Sequence, residues 1–249
     1  MDKVKLLKLM NILPDSVSSK LIHSYVKHNI KKYANIKIEG YDKIKELQGP
    51  IIFICNHLSN ADGIILNEIL REKDPVFVAG VKLTANEFTK NGFKFIKTIP
   101  IKPNSADKEA IAKMVEVLKA GKNIMIFPEG TRSRTGGMIE GKKGLLLVAK
   151  MSKAVIVPIG MHGTEKFMPI NDNDMAEENF NFADIFINFG EPLNVPKKLE
   201  EEEKSEYSDR AMREIMCSIA RELPLEYRGI YKEETMIDSS ITDDIDNTL

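Results

Sequence analysis

The sequence predicts an α/β fold: a single-domain sandwich with a mainly parallel or mixed central sheet flanked by helices, preceded by N-terminal amphipathic helices. Three observations predict it. Short runs rich in isoleucine and valine, "PIIFIC", "PVFVAG", "NIMIF" and "AVIVPIG", read as strands buried on both faces. Segments with apolar residues at helical spacing stand between them, the pattern of a mainly parallel sheet. The 249 residues, 43% of them apolar and 29% charged, are enough for one domain with a sizeable core.

Residues 4–13 are apolar with lysines nearby, and 15–33 place Val17, Leu21, Tyr25 and Ile22, Val26, Ile30, Tyr33 at helical spacings. Pro14 is expected to separate two helices and Asp15 to cap the second. Gly49–Asn56 is the first expected strand, followed by the helix "ADGIILNEILREKD" and the strand Pro75–Gly80. A short helix is expected at 82–91 and an interrupted strand at Phe93–Pro103. The clearest helix starts at Ala106, capped by Ser105, with Ile111, Met114, Val115 and Leu118 on one side and Gly121 as its stop. The strand Asn123–Gly130, the helix "KKGLLLVAKMSK" and the strand Ala154–Gly160 follow, then a strand within Asn181–Leu193. The charged stretch 197–209 leads into an amphipathic helix carrying Met212, Ile215, Met216 and Ile219. These elements divide the chain into a helical extension (1–33), one main domain (34–231) and an acidic tail (232–249).

The net charge of −1 argues against nucleic acid as a partner. It hides an asymmetry: residues 1–33 carry seven lysines against Asp2 and Asp15, while 232–249 carry one lysine against six acids. Cys55 and Cys217 sit in apolar segments, as buried thiols of a reducing compartment do. No run of 18 apolar residues occurs, and the N-terminus is too polar for a signal peptide. Four scattered histidines give no metal cluster, and neither a Walker nor a dinucleotide glycine pattern is present.

Chemistry gathers in two loops that follow strands. In "NHLSNAD", His57 has the pKa range of a general base, and Asp62, opening the next helix, can fix its tautomer. A buried histidine beside an ordinary helix cap satisfies the same spacing. There is no G-x-S-x-G elbow, and nothing marks Ser59 as a nucleophile, so the attacking hydroxyl or water comes from the substrate. In "PEGTRSRTGG", Gly130 frees the backbone, Thr131 and Ser133 add hydroxyls, and Arg132 and Arg134 can hold an anion. Glu129 is the odd member of an anion site, suited to orienting an arginine or bonding a substrate hydroxyl. A solvated glycine-rich turn is the plainer alternative.

Together the loops resemble the glycerolipid acyltransferase family. Its N-H-x-x-x-x-D motif matches Asn56, His57 and Asp62; F-P-E-G-T-R-S is unbroken at Phe127–Ser133; and the V-P-[IV] strand end matches Val157, Pro158 and Ile159. The second motif, G-x-x-F-I-x-R, is matched by "GFKFIKT" with Thr98 at the arginine position, and Lys97 and Lys102 stand nearby to replace its charge. Lys82 matches a family lysine before that motif. The similarity covers about residues 35–195. It implies transfer of a fatty acyl group from acyl-CoA or acyl carrier protein to the sn-2 hydroxyl of 1-acylglycerol 3-phosphate, giving phosphatidic acid. His57 and Asp62 would be catalytic; Glu129, Gly130, Thr131, Arg132, Lys82, Lys97 and Lys102 would bind substrate and its phosphate. No bound cofactor or metal is implied. The expected partners are the lysophospholipid, the acyl thioester and a membrane surface met through the N-terminal helices, at the cytoplasmic face of the cell membrane as a peripheral, monotopic protein. Acylation of another lysophospholipid or of glycerol phosphate, thioester hydrolysis, and non-catalytic lipid binding are the alternatives.

Overall fold

In chain order, a computed structural model, which describes residues 13–80, 96–102, 107–171 and 179–236, places α1 at Asp15–Tyr33, β1 at Ala34–Glu39, α2 at Asp42–Lys45, β2 at Ile51–Cys55, α3 at Ala61–Ile69, β3 at Val76–Gly80 and β4 at Thr98–Ile101. It continues with α4 at Lys108–Lys119, β5 at Ile124–Ile126, α5 at Gly144–Ser152, β6 at Val155–His162, α6 at Thr164–Phe167, β7 at Ala183–Phe189 and α7 at Lys204–Arg221. The strands form one sheet in the order β1-β7-β6-β2-β5-β3-β4. β6, β2, β5, β3 and β4 are mutually parallel; β7 runs antiparallel to β6, and β1 runs parallel to β7. The sheet is therefore mixed.

β2 lies in the middle of the sheet, and all five of its residues are buried. Its period-two alternation divides the core. Ile52 and Ile54 face a layer made by Met114 and Leu118 of α4, Leu145 and Val148 of α5, and Ile215 and Ile219 of α7. Ile51, Phe53 and Cys55 face the opposite layer, with Ile65 and Leu66 of α3 and Phe167 of α6. The chain leaves β2 for α3 on one face and leaves the neighbouring β5 for α5 on the other. Such a divergence opens a crevice beyond the carboxyl ends of the two strands.

The structure revises several local expectations. β1 is an edge strand paired with β7 from Ala34↔Ala183 to Glu39↔Asn188, and it directly follows α1. The alternation of Ile36 and Ile38 with Asn35 and Lys37 is its sequence signature. α4 begins at Lys108, and its cap is Asp107, whose Oδ1 accepts the Ala110 N–H at 3.1 Å. Ser105, the expected cap, and the helix expected at 82–91 lie outside the described residues. α1 starts at Asp15 with Pro14 in the cap position and no side-chain cap. The first expected helix, residues 4–13, falls almost wholly outside the described residues, as does the tail beyond 236. Ile22 and Val26 of α1 are buried against Ile64 of α3, and His23 is bonded to Glu68 of the same helix. This stripe packs on the main domain and leaves lysines on the outer face. No described helix is long and apolar enough to cross a membrane.

Two glycines with positive φ test how tightly the loops are built. At Gly163 (φ +92°), between β6 and α6, an added Cβ would stand 2.1 Å from the Asp184 carbonyl oxygen; at Gly121 (φ +76°) it would meet nothing within 4 Å. Gly121→Ala is expected to cost only the left-handed backbone penalty, about 1–2 kcal/mol. Gly163→Ala is expected to cost more, because main chain must move. Urea unfolding midpoints of the two variants check this, and equal losses would contradict it.

Candidate active site

The loop after β2 is organised by one carboxylate. Asp62, in the first turn of α3, is fully buried, and its Oδ2 accepts three hydrogen bonds: His57 Nδ1 at 2.7 Å, the Leu58 N–H at 2.7 Å and the Ser59 N–H at 2.9 Å. The backbone bonds close the five-residue spacing into a tight turn, and the negative charge sits favourably at the helix N-terminus. An ionised carboxylate only accepts, so Nδ1 carries a ring proton, and in the neutral ring the lone pair is on Nε2. The imidazole is held on a second side by Phe127, whose ring stacks on it at 4.1 Å between centroids. The His57 side chain keeps 18% of its surface exposed. His57 is thus a held, partly open base.

The loop after β5 is sewn to it through the backbone of His57. Glu129 Oε1 accepts the His57 N–H at 2.9 Å, and the Ser133 N–H donates to the His57 carbonyl at 2.7 Å. Glu129 Oε2 accepts the Ile139 N–H at 2.9 Å, and Glu129 is fully buried. The sequence suggests substrate binding for Glu129; the structure shows both of its oxygens engaged by backbone donors. Its two oxygens satisfy one backbone donor just past β2 and one in the loop after β5, so it clamps the two loops together. Burial pushes its carboxyl up to about 7, against the two backbone hydrogen bonds and with help from the charge of Asp62. Gly130 takes φ +70° in the turn closed by its N–H and the Phe127 carbonyl, at 3.0 Å. Thr131 is exposed and Arg132 half-buried, and both immediately precede the Ser133–His57 bond.

The predicted lysines separate. Lys97 precedes β4, at the amino end of the sheet, where it is ion-paired with Asp74. His57 follows β2 at the carboxyl end of a strand parallel to β4, so the site expectation for Lys97 is wrong. Thr98, the first residue of β4, lies at that amino end too. Strand direction, invisible in residue spacing, decides this. Lys102 follows β4 at the carboxyl end, on the His57 side, with its N–H bonded to Asp107 Oδ2 at 2.9 Å. Lys82 lies outside the described residues.

Two motif residues with no role of their own assigned from sequence also support the site. Asn56 is buried and exchanges both side-chain hydrogen bonds with the Met161 backbone of β6, at 2.8 and 2.9 Å. Phe127 belongs to the F-P-E-G-T-R-S stretch, which is the one sequence signal for its stacking role. Two groups close in sequence to His57, Ser59 and Cys55, are poorly suited to act as nucleophiles. The Ser59 hydroxyl is buried and donates to the Met168 carbonyl at 2.7 Å, and burial with the nearby charges of Asp62 and Glu129 pushes the Cys55 thiol well up. Among the described residues, no group of three or more His, Cys, Asp or Glu is placed to hold a metal ion.

Comparison with known proteins shows the family and the fold. A family model described as Acyltransferase matches residues 35–162, half of the chain. The chain is 27% identical over 172 residues to the chloroplastic 1-acyl-sn-glycerol-3-phosphate acyltransferase LPAT1 of Arabidopsis thaliana, covering 68% of this chain and 46% of that protein. It is 25% identical over 206 residues to the glycerol-3-phosphate acyltransferase of Aeromonas hydrophila subsp. hydrophila, covering 69% of this chain and 25% of that one. The chain thus spans half or less of these relatives. The crystal structure of the 1-acyl-sn-glycerophosphate (LPA) acyltransferase PlsC from Thermotoga maritima superposes with a TM-score of 0.59 at 20% identity, covering 84% of this chain and 83% of that one, so the fold is shared.

The titration of Glu129 is open to test. Between the ordinary carboxyl value of 4.5 and about 7, the folded chain keeps a proton that the unfolded chain has lost. Stability contributed by this group is complete below 4.5 and is lost as pH rises through about 7. The unfolding free energy of the wild type, relative to Glu129→Gln, is expected to fall by roughly 3 kcal/mol across that window. Urea denaturation at pH 4.5, 6 and 7.5 measures it; a pH-independent difference would contradict the assignment.

Proposed function

The chain belongs to the glycerolipid acyltransferase family, and from that premise we propose that it moves a fatty acyl group from an acyl thioester to the sn-2 hydroxyl of 1-acylglycerol 3-phosphate, giving phosphatidic acid. That it is an acyltransferase follows from the family; the acceptor and donor are our reading. The observation that carries it is the Asp62–His57 pair, with Nδ1 protonated and Nε2 available at the carboxyl end of the central strand.

In this mechanism the acceptor hydroxyl gives its proton to His57 Nε2 as its oxygen bonds to the thioester carbonyl carbon. Collapse of the tetrahedral adduct breaks the carbon–sulfur bond, and the departing thiolate takes the proton back from the imidazolium. Asp62 holds the ring in place and stabilises its positive charge meanwhile. No acyl-enzyme is formed, in keeping with the buried, engaged Ser59 and the protonated Cys55. Arg132 suits the acceptor's phosphate, since guanidinium binds phosphate as a fork, and Lys102 adds positive charge at the same end of the sheet. Gly130 and Thr131 line the approach to that phosphate. The acyl donor is acyl-CoA or acyl carrier protein. A lipid acceptor requires a bilayer surface, for which the lysine-rich residues 1–33 are suited, at the cytoplasmic face as a peripheral protein.

Thiol release from palmitoyl-CoA or palmitoyl carrier protein, with and without 1-acylglycerol 3-phosphate, tests the reading when lipid products are weighed by mass spectrometry. Phosphatidic acid formed in step with thiol is expected, and His57→Ala is expected to abolish both. Arg132→Ala is expected to raise the acceptor KM about 10- to 100-fold, the loss of one charge-assisted phosphate contact. Acceptor-independent thiol release would mean hydrolysis instead, and a product from glycerol 3-phosphate alone would move the acceptor.

A further inference from the structure

Two side-chain oxygens stand out among the described residues as buried without a hydrogen-bond partner: Asp62 Oδ1 and Thr164 Oγ1. Both residues are fully buried. Leaving an ionised oxygen and a hydroxyl dry and unpaired is costly, and native proteins rarely do so. One of the two is the second oxygen of the carboxylate that fixes His57.

The two residues lie on neighbouring segments. Asn56 clamps the start of the His57 loop to Met161, and the Ser59 hydroxyl ties the same loop to the Met168 carbonyl. Thr164 sits between Met161 and Met168, at the start of α6, and Asp62 follows Ser59 at the start of α3. α3 and α6 are in contact. A carboxylate oxygen accepts and a hydroxyl donates, so the orphans are chemically complementary. Small buried polar sites of this kind are commonly joined by one ordered water.

We propose that Thr164 is a positioning residue for the catalytic pair: its hydroxyl donates, through one ordered water, to Asp62 Oδ1. Asp62 then has four donors in all, three on Oδ2 and one on Oδ1, and its carboxylate plane is fixed from both sides. The link also sets the basicity of His57. A donor on Oδ1 draws off carboxylate charge, and it does so most when the imidazole is neutral. Removing it favours the imidazolium and raises the pH at which His57 becomes a base. Cys55 from β2 and Glu129 from the loop after β5 are titratable groups that interact electrostatically with Asp62, and the substitution alters neither residue.

The inference gives the proposed base its outer support but is tested without turnover. The His57 ring is followed by NMR from pH 5 to 9 in the full-length wild type, Thr164→Val and Thr164→Ser, with His57→Gln to assign its signal. Thr164→Val keeps the shape and removes the hydroxyl; it is expected to raise the His57 midpoint by about half to one pH unit. Thr164→Ser is expected to stay at the wild-type value. Identical midpoints in wild type and Thr164→Val would overturn the proposal. A crystal structure of the wild type gives a second reading that needs no variant to fold. A water bonded to both oxygens supports the link, and an Asp62 Oδ1 bonded to neither Thr164 nor a water shared with it overturns it. Failure of the acyl-transfer assay with a shifted titration would refute the proposed reaction alone.

Discussion

A single buried carboxylate oxygen holds the functional end of this molecule together. Asp62 Oδ2 takes the His57 ring and two consecutive backbone N–H groups, and so fixes the shape of the loop, the tautomer of the base and the start of α3 at once. Charge-assisted hydrogen bonds in a buried site are strong, and breaking one leaves an uncompensated charge behind. The geometry is therefore rigid where proton transfer needs rigidity.

The sheet makes that carboxylate possible. β2 is covered on both faces, so the chain that follows Cys55 leaves from between two packed layers. The helices after β2 and β5 depart to opposite faces, which sets the two motif loops facing each other. Glu129 then closes the seam by accepting one N–H from each side of it. It is a second buried acidic group that feels the charge of Asp62. Its raised carboxyl value is the physical answer: near neutral pH the pair need not hold two full charges.

Much of this was legible in residue order. Buried strands announced themselves as isoleucine runs, helices by their periodicity, and the two loops by motifs whose residue types suit a base and an anion site. What stayed hidden depended on strand direction or distant partners. Lys97 and Lys102 are alike in composition and five residues apart, yet a strand carries one away from His57 and leaves the other on its side. The clamping role of Glu129 was hidden because the two N–H groups that donate to it belong to residues 72 positions before and 10 after it. β1 escaped notice because an edge strand is half exposed, and only its pairing with β7, some 149 residues later, gives it a role. The pairing of Asn56 with Met161 is of the same kind.

The most direct test of the account is the tautomer of His57 in the resting protein. Nitrogen-15 spectra of the imidazole, assigned with a His57→Gln variant, distinguish a protonated ring nitrogen from a bare one. The account predicts a proton on Nδ1, held by Asp62, and an unprotonated Nε2 at neutral pH. A ring protonated on Nε2, or one exchanging freely between the two forms, would contradict it.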